Sequence, residues 1–330
     1  MLTVENECAR EGRMSSINTN VAAISALHAL TSSQSDIVRT EGRVSTGLRV
    51  STAQDNAAYW SIATTMRSDT GALSAVSDAL GLGSATADVA YTGLNDSIRL
   101  LDQIKRKLIA AREPGIDRGK IQSDIAAMQS QLRNIAQAAS FSSENWLNID
   151  STAGADNQVE IISSFSRDDN MNPVIGKITF NIYTAATGET MALFDANPTA
   201  SAKAGLIDRP HTSASGTSYS METLDIHALT DSAADIADLD SYIQGAETTL
   251  LRLTDSATAL GYIKMRIDLQ KTFVADLSAT VKAGVGRLVD ADMDEESTRL
   301  QALQTKQSLG VQSLSIANQS SQTMLKLFQP

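Results

Sequence analysis

Prolines are absent from two long stretches of this 330-residue chain, and their absence constrains the fold more than any other feature. The five prolines stand at positions 114, 173, 198, 210 and 330, so residues 1–113 and 211–329 lack the strongest helix breaker. The sequence therefore predicts a mainly α protein. Long helices from both termini are expected to pair as an antiparallel coiled coil, with a small β-rich excursion in the centre.

Apolar residues recur at heptad spacing in two of the predicted helices. One series runs from Leu239 to Leu260 with spacings that alternate between four and three, and a shorter one runs from Ile121 to Ile135. Side chains at this spacing face a partner helix along one seam. The predicted helical-core seam consists of Ile121, Ile125, Met128, Leu132, Leu239, Ile243, Leu250, Leu253 and Leu260.

The N-terminal half contains a weaker helical pattern. A narrow apolar stripe from Ile17 to Leu30 has small and polar flanks, so we expect Met14 to about Thr40 to be helical only when packed against a partner. Thr52 and Asp55 have the spacing of a capping box, which predicts a helix start there. The Pro114-Gly115 pair predicts the end of that helix.

The central region has a different pattern. Ile178, Phe180 and Ile182 alternate with polar residues, as in a half-buried strand, and Val159 and Ile161 suggest an earlier strand. Residues 201–220 are small and polar, which favours a loop. No seam passes through residues 153–220, so we expect replacement of residues 198–220 by a short linker to permit assembly.

Composition excludes several classes of function. A net charge of −11 argues against nucleic acid or an anionic membrane as the main partner, and no apolar run is long enough to span a bilayer. Residues 1–13 are polar, which predicts either a cytoplasmic location or export without a cleaved signal peptide. Cys8 is the only cysteine, so an internal disulfide is impossible.

No motif in the sequence predicts catalysis, a cofactor or a metal. Gly81-Leu82-Gly83 lacks the strand that precedes a dinucleotide fingerprint, and is better explained by a close helix contact. Asp290, Asp292 and Asp294 resemble a calcium loop, but Glu295 occupies the position that requires glycine. We therefore interpret this segment as an acidic helix start.

The two ends of the chain carry the most specific sequence signatures. They are Ser16–Asn20, Gly42–Val50, Ser51–Ala58, Arg287–Asp292, Ser315–Gln319 and Met324–Phe328. Together they resemble the bacterial flagellins, in particular the short flagellins of rhizobium-like alphaproteobacteria. The resemblance covers about residues 14–150 and 236–330.

This resemblance implies a domain arrangement and a set of filament contacts. Residues 14–57 with 290–330 would form an inner coiled-coil domain, and residues 58–150 with 225–289 a helical core domain. Residues 151–224 would form a variable, outward-facing β-rich region, with residues 1–13 as a leader outside the family pattern. The expected filament-packing residues are Ile17, Val21, Ile24, Leu27, Leu48, Leu314, Leu325 and Phe328.

The resemblance also implies function, partners and location. The chain would be a structural subunit of the flagellar filament, exported by the flagellar type III route and polymerised outside the cell. Its partners would be other copies or sibling flagellins, an export chaperone, the export apparatus, the distal cap and the hook-junction proteins. The alternatives at this stage are a hook–filament junction protein and a secreted coiled-coil effector or translocator.

Overall fold

The computed structural model describes residues 19–152 and 156–327, with residues 320–327 as backbone only. In these ranges the α-helices are α1 (Val21–Thr46), α2 (Ala57–Ala111), α3 (Arg118–Ala138), α4 (Ala233–Val289) and α5 (Met293–Leu327). Between α3 and α4 lie β1 (Asn148–Ile149), β2 (Asn157–Arg167), β3 (Pro173–Thr184), β4 (Glu189–Thr190), β5 (Phe194–Asp195), β6 (His211–Thr212) and β7 (Ser218–Tyr219). The predicted mainly α fold with a small strand-containing centre is confirmed.

The chain forms two compact units. One consists of Met1–Arg67 with Val281–Pro330, and the other of Ser68–Thr280. The first, which we call the terminal unit, contains α1 and α5. The second, the central unit, contains α3, all the strands and most of α2 and α4. The four-part division inferred from the resemblance stays a prediction.

Side-chain caps fix the ends of several helices. Asn20 caps α1 by accepting a hydrogen bond from the Ala23 N–H at 3.0 Å, and Gly47 ends this helix with φ 70°. As predicted, α2 ends before the Pro114-Gly115 pair, at Ala111. Asp117 then caps α3 through the Lys120 N–H at 3.2 Å.

The predicted capping box at Thr52 and Asp55 is wrong. The Asp55 carboxylate accepts hydrogen bonds from the backbone and hydroxyls of Ser51 and Thr52, which closes a turn ahead of the helix. Asn56 is the actual cap of α2, since its Oδ1 accepts from the Tyr59 N–H at 3.1 Å. The helix starts later because Asn56 competes better for the free N–H groups of the first turn.

In the central unit α2 and α4 pair antiparallel. The ion pairs Asp88–Lys264, Lys105–Glu247 and Arg112–Asp240 link them, and residue numbers rise on one helix as they fall on the other. The Arg112 pair has an Nε to Oδ1 distance of 2.6 Å. These partly exposed pairs fix the register more than they stabilise the fold.

The longest seam of the central unit lies on α2, and only its large apolar positions, such as Leu94, Leu101 and Leu108, stand out in the sequence. Its buried positions alternate in spacing between three and four from Leu73 to Ala111. Alanine, serine and glycine occupy several of these positions, so a search for large apolar residues does not find them. The seam residues are Leu73, Val76, Leu80, Gly83, Ala87, Ala90, Leu94, Ser97, Leu101, Ile104, Leu108 and Ala111.

All nine predicted seam residues lie in or against one apolar cluster of the central unit. Five are fully or almost fully buried, namely Ile125, Leu132, Leu239, Leu253 and Leu260. The other four are partly buried and pack against that cluster, namely Ile121, Met128, Ile243 and Leu250. The heptad spacing therefore marks the faces of α3 and α4 that pack inside the chain.

The strands form small sheets that complete this core. β2 and β3 pair antiparallel with Ile161 opposite Ile178, and β4 extends the sheet beside β3. Asp168 closes the β2–β3 turn by accepting from the N–H groups of Asn170 and Asn172. A Cβ atom on Gly83 would lie 2.8 Å from the Ile161 side chain, so glycine permits α2 to approach β2 closely.

The loop prediction for residues 201–220 is only partly right. This segment contains a 3-10 turn and the β6–β7 hairpin, and it inserts Leu206 and Ile207 into the core. Ile207 is fully buried, and Tyr219 is buried beside Tyr242. The polar composition concealed these anchors because they are few and widely spaced.

Candidate assembly surface

Helices α1 and α5 pair antiparallel in the terminal unit. Asn20 Nδ2 donates to the Ala317 carbonyl at 2.9 Å near one end, and Arg43 Nη1 contacts Glu296 Oε1 at 2.9 Å near the other. The less exposed face of α1 alternates in spacing between three and four, and consists of Ala23, Ala26, Leu30, Ser33, Ile37, Thr40 and Val44. The matching face of α5 consists of Glu296, Leu300, Leu303, Gln307, Gly310, Leu314 and Ala317.

This terminal seam combines large apolar side chains, such as Leu30, Ile37 and Leu303, with small and polar ones. Ser33 is buried and its hydroxyl has no hydrogen-bond partner in the described part of the chain. Glu296 is also buried, and one of its oxygens is likewise without a partner although the other contacts Arg43 and Arg299. Because unpartnered buried polar atoms cost free energy, these two positions weaken the α1–α5 pair.

The outward faces of the two helices also carry large apolar side chains. Val21 is 68% exposed, Leu27 53%, and Ile316 68%. Soluble chains rarely leave such a series of apolar residues in water unless another surface covers them. The outward apolar face, as we call it, consists of Val21, Ile24, Leu27 and Val38 on α1 and Leu309 and Ile316 on α5.

The predicted filament-packing residues fall in three groups. Val21, Ile24 and Leu27 lie on the outward apolar face, whereas Leu314 is half-buried in the α1–α5 seam and Leu48 packs against a separate small cluster. The side chain of Leu325 and the residues Ile17 and Phe328 lie outside what the structure describes. The sequence prediction thus merged an outward face with inward positions.

A second apolar cluster anchors the base of the terminal unit. Val50 and Ala63 pack with Val285 and Val289, all of them buried. Backbone hydrogen bonds tie the same segments together, with the Arg49 N–H donating to the Val289 carbonyl at 2.7 Å. This cluster is the better packed part of the unit, so we expect it to persist when the α1–α5 pair opens.

The central unit exposes its own apolar stripe on α4. Tyr262, Met265, Leu269 and Phe273 are each more than half exposed, at spacings of three and four that place them along one face. The buried face of α4 lies opposite, where Ile263, Ile267 and Val274 enter the core. The sequence reasoning missed this stripe, because apolar residues on both faces of a helix give no clear period.

A side-chain cap also fixes the start of α5. Asp292 caps α5 by accepting from the Asp294 and Glu295 N–H groups at 3.0 and 3.2 Å, as expected for an acidic helix start. Among residues 19–152 and 156–327 no three acidic, histidine or cysteine side chains cluster as metal ligands do. A search of the same residues finds no helix that combines the length and apolarity a bilayer span requires.

Comparisons with known proteins agree with this architecture. Residues 17–152 match the family model for the bacterial flagellin N-terminal helical region, and residues 243–328 match that for the C-terminal helical region. Flagellin C of Rhizobium meliloti strain 1021 is 44% identical, with 96% of this chain and 100% of the relative aligned. Flagellin A of Rhizobium meliloti (39%; 96% and 100%) and a flagellin of Brucella melitensis (38%; 96% and 99%) are similar over the same extent. The chain therefore belongs to the bacterial flagellin family.

Proposed function

We propose that this flagellin builds the flagellar filament by burying its outward apolar face against neighbouring copies. The observation that carries the proposal is the distribution of side chains on α1 and α5. Their mutual seam already covers one set of apolar side chains, whereas Val21, Leu27 and Ile316 remain exposed to solvent. A helix pair of this kind gains further stability when neighbouring copies cover the exposed set.

The free energy available from this burial suits a reversible assembly. Full burial of a Leu or Ile is worth about 1.5–3 kcal/mol, so a side chain that is already half-buried has roughly 1 kcal/mol left to gain. The outward face presents six such residues. Their sum must exceed the loss of rotational and translational freedom on association, so one contact alone is weak and a lattice of many contacts is stable.

Export and partners are part of the same proposal. The family membership supports secretion of the chain to an extracellular filament by the flagellar type III route, without a cleaved signal peptide. The chain would meet an export chaperone, the export apparatus, the distal cap and the hook-junction proteins on the way. The unpartnered Ser33 and Glu296 atoms in the α1–α5 seam support this route, because a chain that passes a narrow channel must open its terminal helices first.

We favour a flagellin over a hook–filament junction protein or a secreted effector, because the relatives are flagellins that align from end to end. We therefore treat the chain as a filament subunit with a mechanical role. The contacts of the central unit, including the exposed stripe on α4, would add a second set of lattice interfaces.

Seeded polymerisation of purified chains tests the proposal. Ile316→Ser should raise the critical concentration several-fold, because it removes an apolar group from the outward face of α5. Gln312→Ser is the matched control, since Gln312 is an exposed polar residue on the same helix. Equal polymerisation of the wild type and Ile316→Ser would show that this face is not a subunit contact.

A further inference from the structure

A cavity of about 600 Å³ is lined by residues of the central unit. The β3–β4 turn forms one wall and α4 the other, and the segment after Ile207 contributes Arg209. Cavities of this volume hold small organic molecules in other proteins. Filament formation through the terminal helices does not require it.

Two guanidinium groups line this cavity without a carboxylate partner. Neither Arg209 nor Arg252 forms an ion pair with any residue in the described part of the chain. The one hydrogen bond of Arg209 is long, 3.4 Å from Nη1 to the Gly188 carbonyl. Both arginines are half-buried, so water screens them less than it would at an open surface.

The local electrostatics show that positive charge is crowded here. Burial lowers the pKa of Arg209, and the charge of Arg252 lowers it further. The pKa of His211 is lowered by burial and then by Arg252 and Arg209. His211 is held nearby, with Nε2 3.2 Å from the Thr249 hydroxyl and its ring stacked on Tyr219. The fold thus keeps like charges together in a chain that is acidic overall.

The rest of the lining provides groups that fit an organic acid. Glu189 and Asp255 also line the cavity, but neither pairs with the arginines, and both are exposed, so water screens the repulsion between them and a bound anion. The hydroxyl groups come from Thr184, Thr187, Thr190 and Ser256, and the apolar surface from Ile182, Met191, Leu206 and Ala259. A ligand with an anionic group, a few hydroxyls and a small apolar body would match the guanidinium groups, the hydroxyl groups and the apolar surface of the cavity.

We propose that this cavity binds a small oxyanionic molecule, with its carboxylate or phosphate held between Arg209 and Arg252. A guanidinium offers a planar fork of donors that matches the oxygens of either group. The bound anion offsets the repulsion that the unpaired arginines exert on each other. The ligand would therefore stabilise the central unit as well as occupy the cavity.

Titration of the isotopically labelled, full-length monomer tests the proposal. Inorganic phosphate and glucuronate are the two anionic probes, and glucose is the neutral probe, all at constant ionic strength. Phosphate, glucuronate or both should shift the amide resonances of residues 187–191 and 252–259 in a saturable manner, whereas glucose should not. Saturation by phosphate alone would identify a phosphate site, and saturation by glucuronate alone a carboxylate site.

Variants show whether the arginines are the cause. Arg209→Gln and Arg252→Gln should each weaken binding at least tenfold, and Arg252→Lys should weaken it too, because an ammonium lacks the fork. Arg266→Gln is the control, since it removes the same charge from an exposed position on the same helix. The proposal is wrong if neither anion saturates the site, or if Arg266→Gln weakens binding as much as Arg252→Gln. Binding that persists in both cavity variants would overturn it as well.

Discussion

Leu253→Ala and Leu27→Ala should separate folding from assembly, because the two leucines lie in opposite environments. Leu253 is 0% exposed within the core of the central unit, whereas Leu27 is 53% exposed on the outward face of α1. The first variant should destabilise the monomer and the second should weaken the filament. Both remove the same atoms, so the contrast isolates the environment.

The structure sets the expected magnitudes. Leucine to alanine at a fully buried site costs about 2–5 kcal/mol, so Leu253→Ala should lower the melting temperature of the monomer by roughly 10 °C. Leu27→Ala should change monomer stability by less than about 0.5 kcal/mol. The loss of about 1 kcal/mol of burial at each subunit contact should raise the critical concentration about fivefold.

Calorimetry of each monomer, together with seeded polymerisation over a concentration series, measures both effects. His28→Ala serves as the control for α1, since His28 is an exposed neighbour of Leu27. If Leu27→Ala lowered the melting temperature as much as Leu253→Ala, the side chain of Leu27 would be buried in the monomer. An unchanged critical concentration would remove the outer face of α1 from the lattice.

Three further changes test the central unit. Asp195→Asn should destabilise it by about 1–3 kcal/mol at pH 7, because the buried carboxylate accepts four hydrogen bonds. Burial raises the pKa of Asp195, but those hydrogen bonds outweigh burial and lower the pKa below 3.8 overall. The wild type should therefore be more stable than Asp195→Asn in unfolding titrations above pH 4. This difference in stability should disappear as the pH falls through the lowered pKa. Replacement of residues 198–220 by a Gly/Ser linker should unfold the central unit, because it removes buried core residues. This prediction reverses the expectation from sequence. The same linker inserted after Asn170, in the β2–β3 turn, should leave the circular dichroism melt unchanged. Arg252→Gln should raise the pKa of His211 in an NMR titration, because a neighbouring positive charge is removed, and a constant value would place Arg252 too far away to act.

The sequence predicted the seams that are made of large apolar residues. Leu239 to Leu260 and Ile121 to Ile135 show heptad spacing openly, and the structure buries them in or against one core. The α2 seam was found only in part, because alanine, serine and glycine fill many of its positions and their burial leaves no hydrophobic signal. Small residues also make the inward face of α1 hard to recognise in the sequence. The prediction therefore did not separate residues that contact α5 from residues that face other subunits.

Contacts that depend on competition between local groups were also beyond the sequence. Asn56, Asp55 and Thr52 are all good capping residues, and only the geometry shows that Asn56 caps α2. Arg209 and Arg252 line the same cavity because the segment after β5 packs beside α4, which is distant in sequence. Neither spacing nor composition reports such an approach.

The labelling rate of a cysteine at position 24, measured in monomer and in filament, tests the central claim most directly. In a Cys8→Ser background, Ile24→Cys places a thiol on the outward apolar face, and Asn170→Cys places one in the β2–β3 turn as a reference. The account predicts that the thiol at position 24 reacts readily in the monomer and becomes strongly protected in the filament, while position 170 stays reactive in both. Equal reactivity at position 24 in monomer and filament would contradict it.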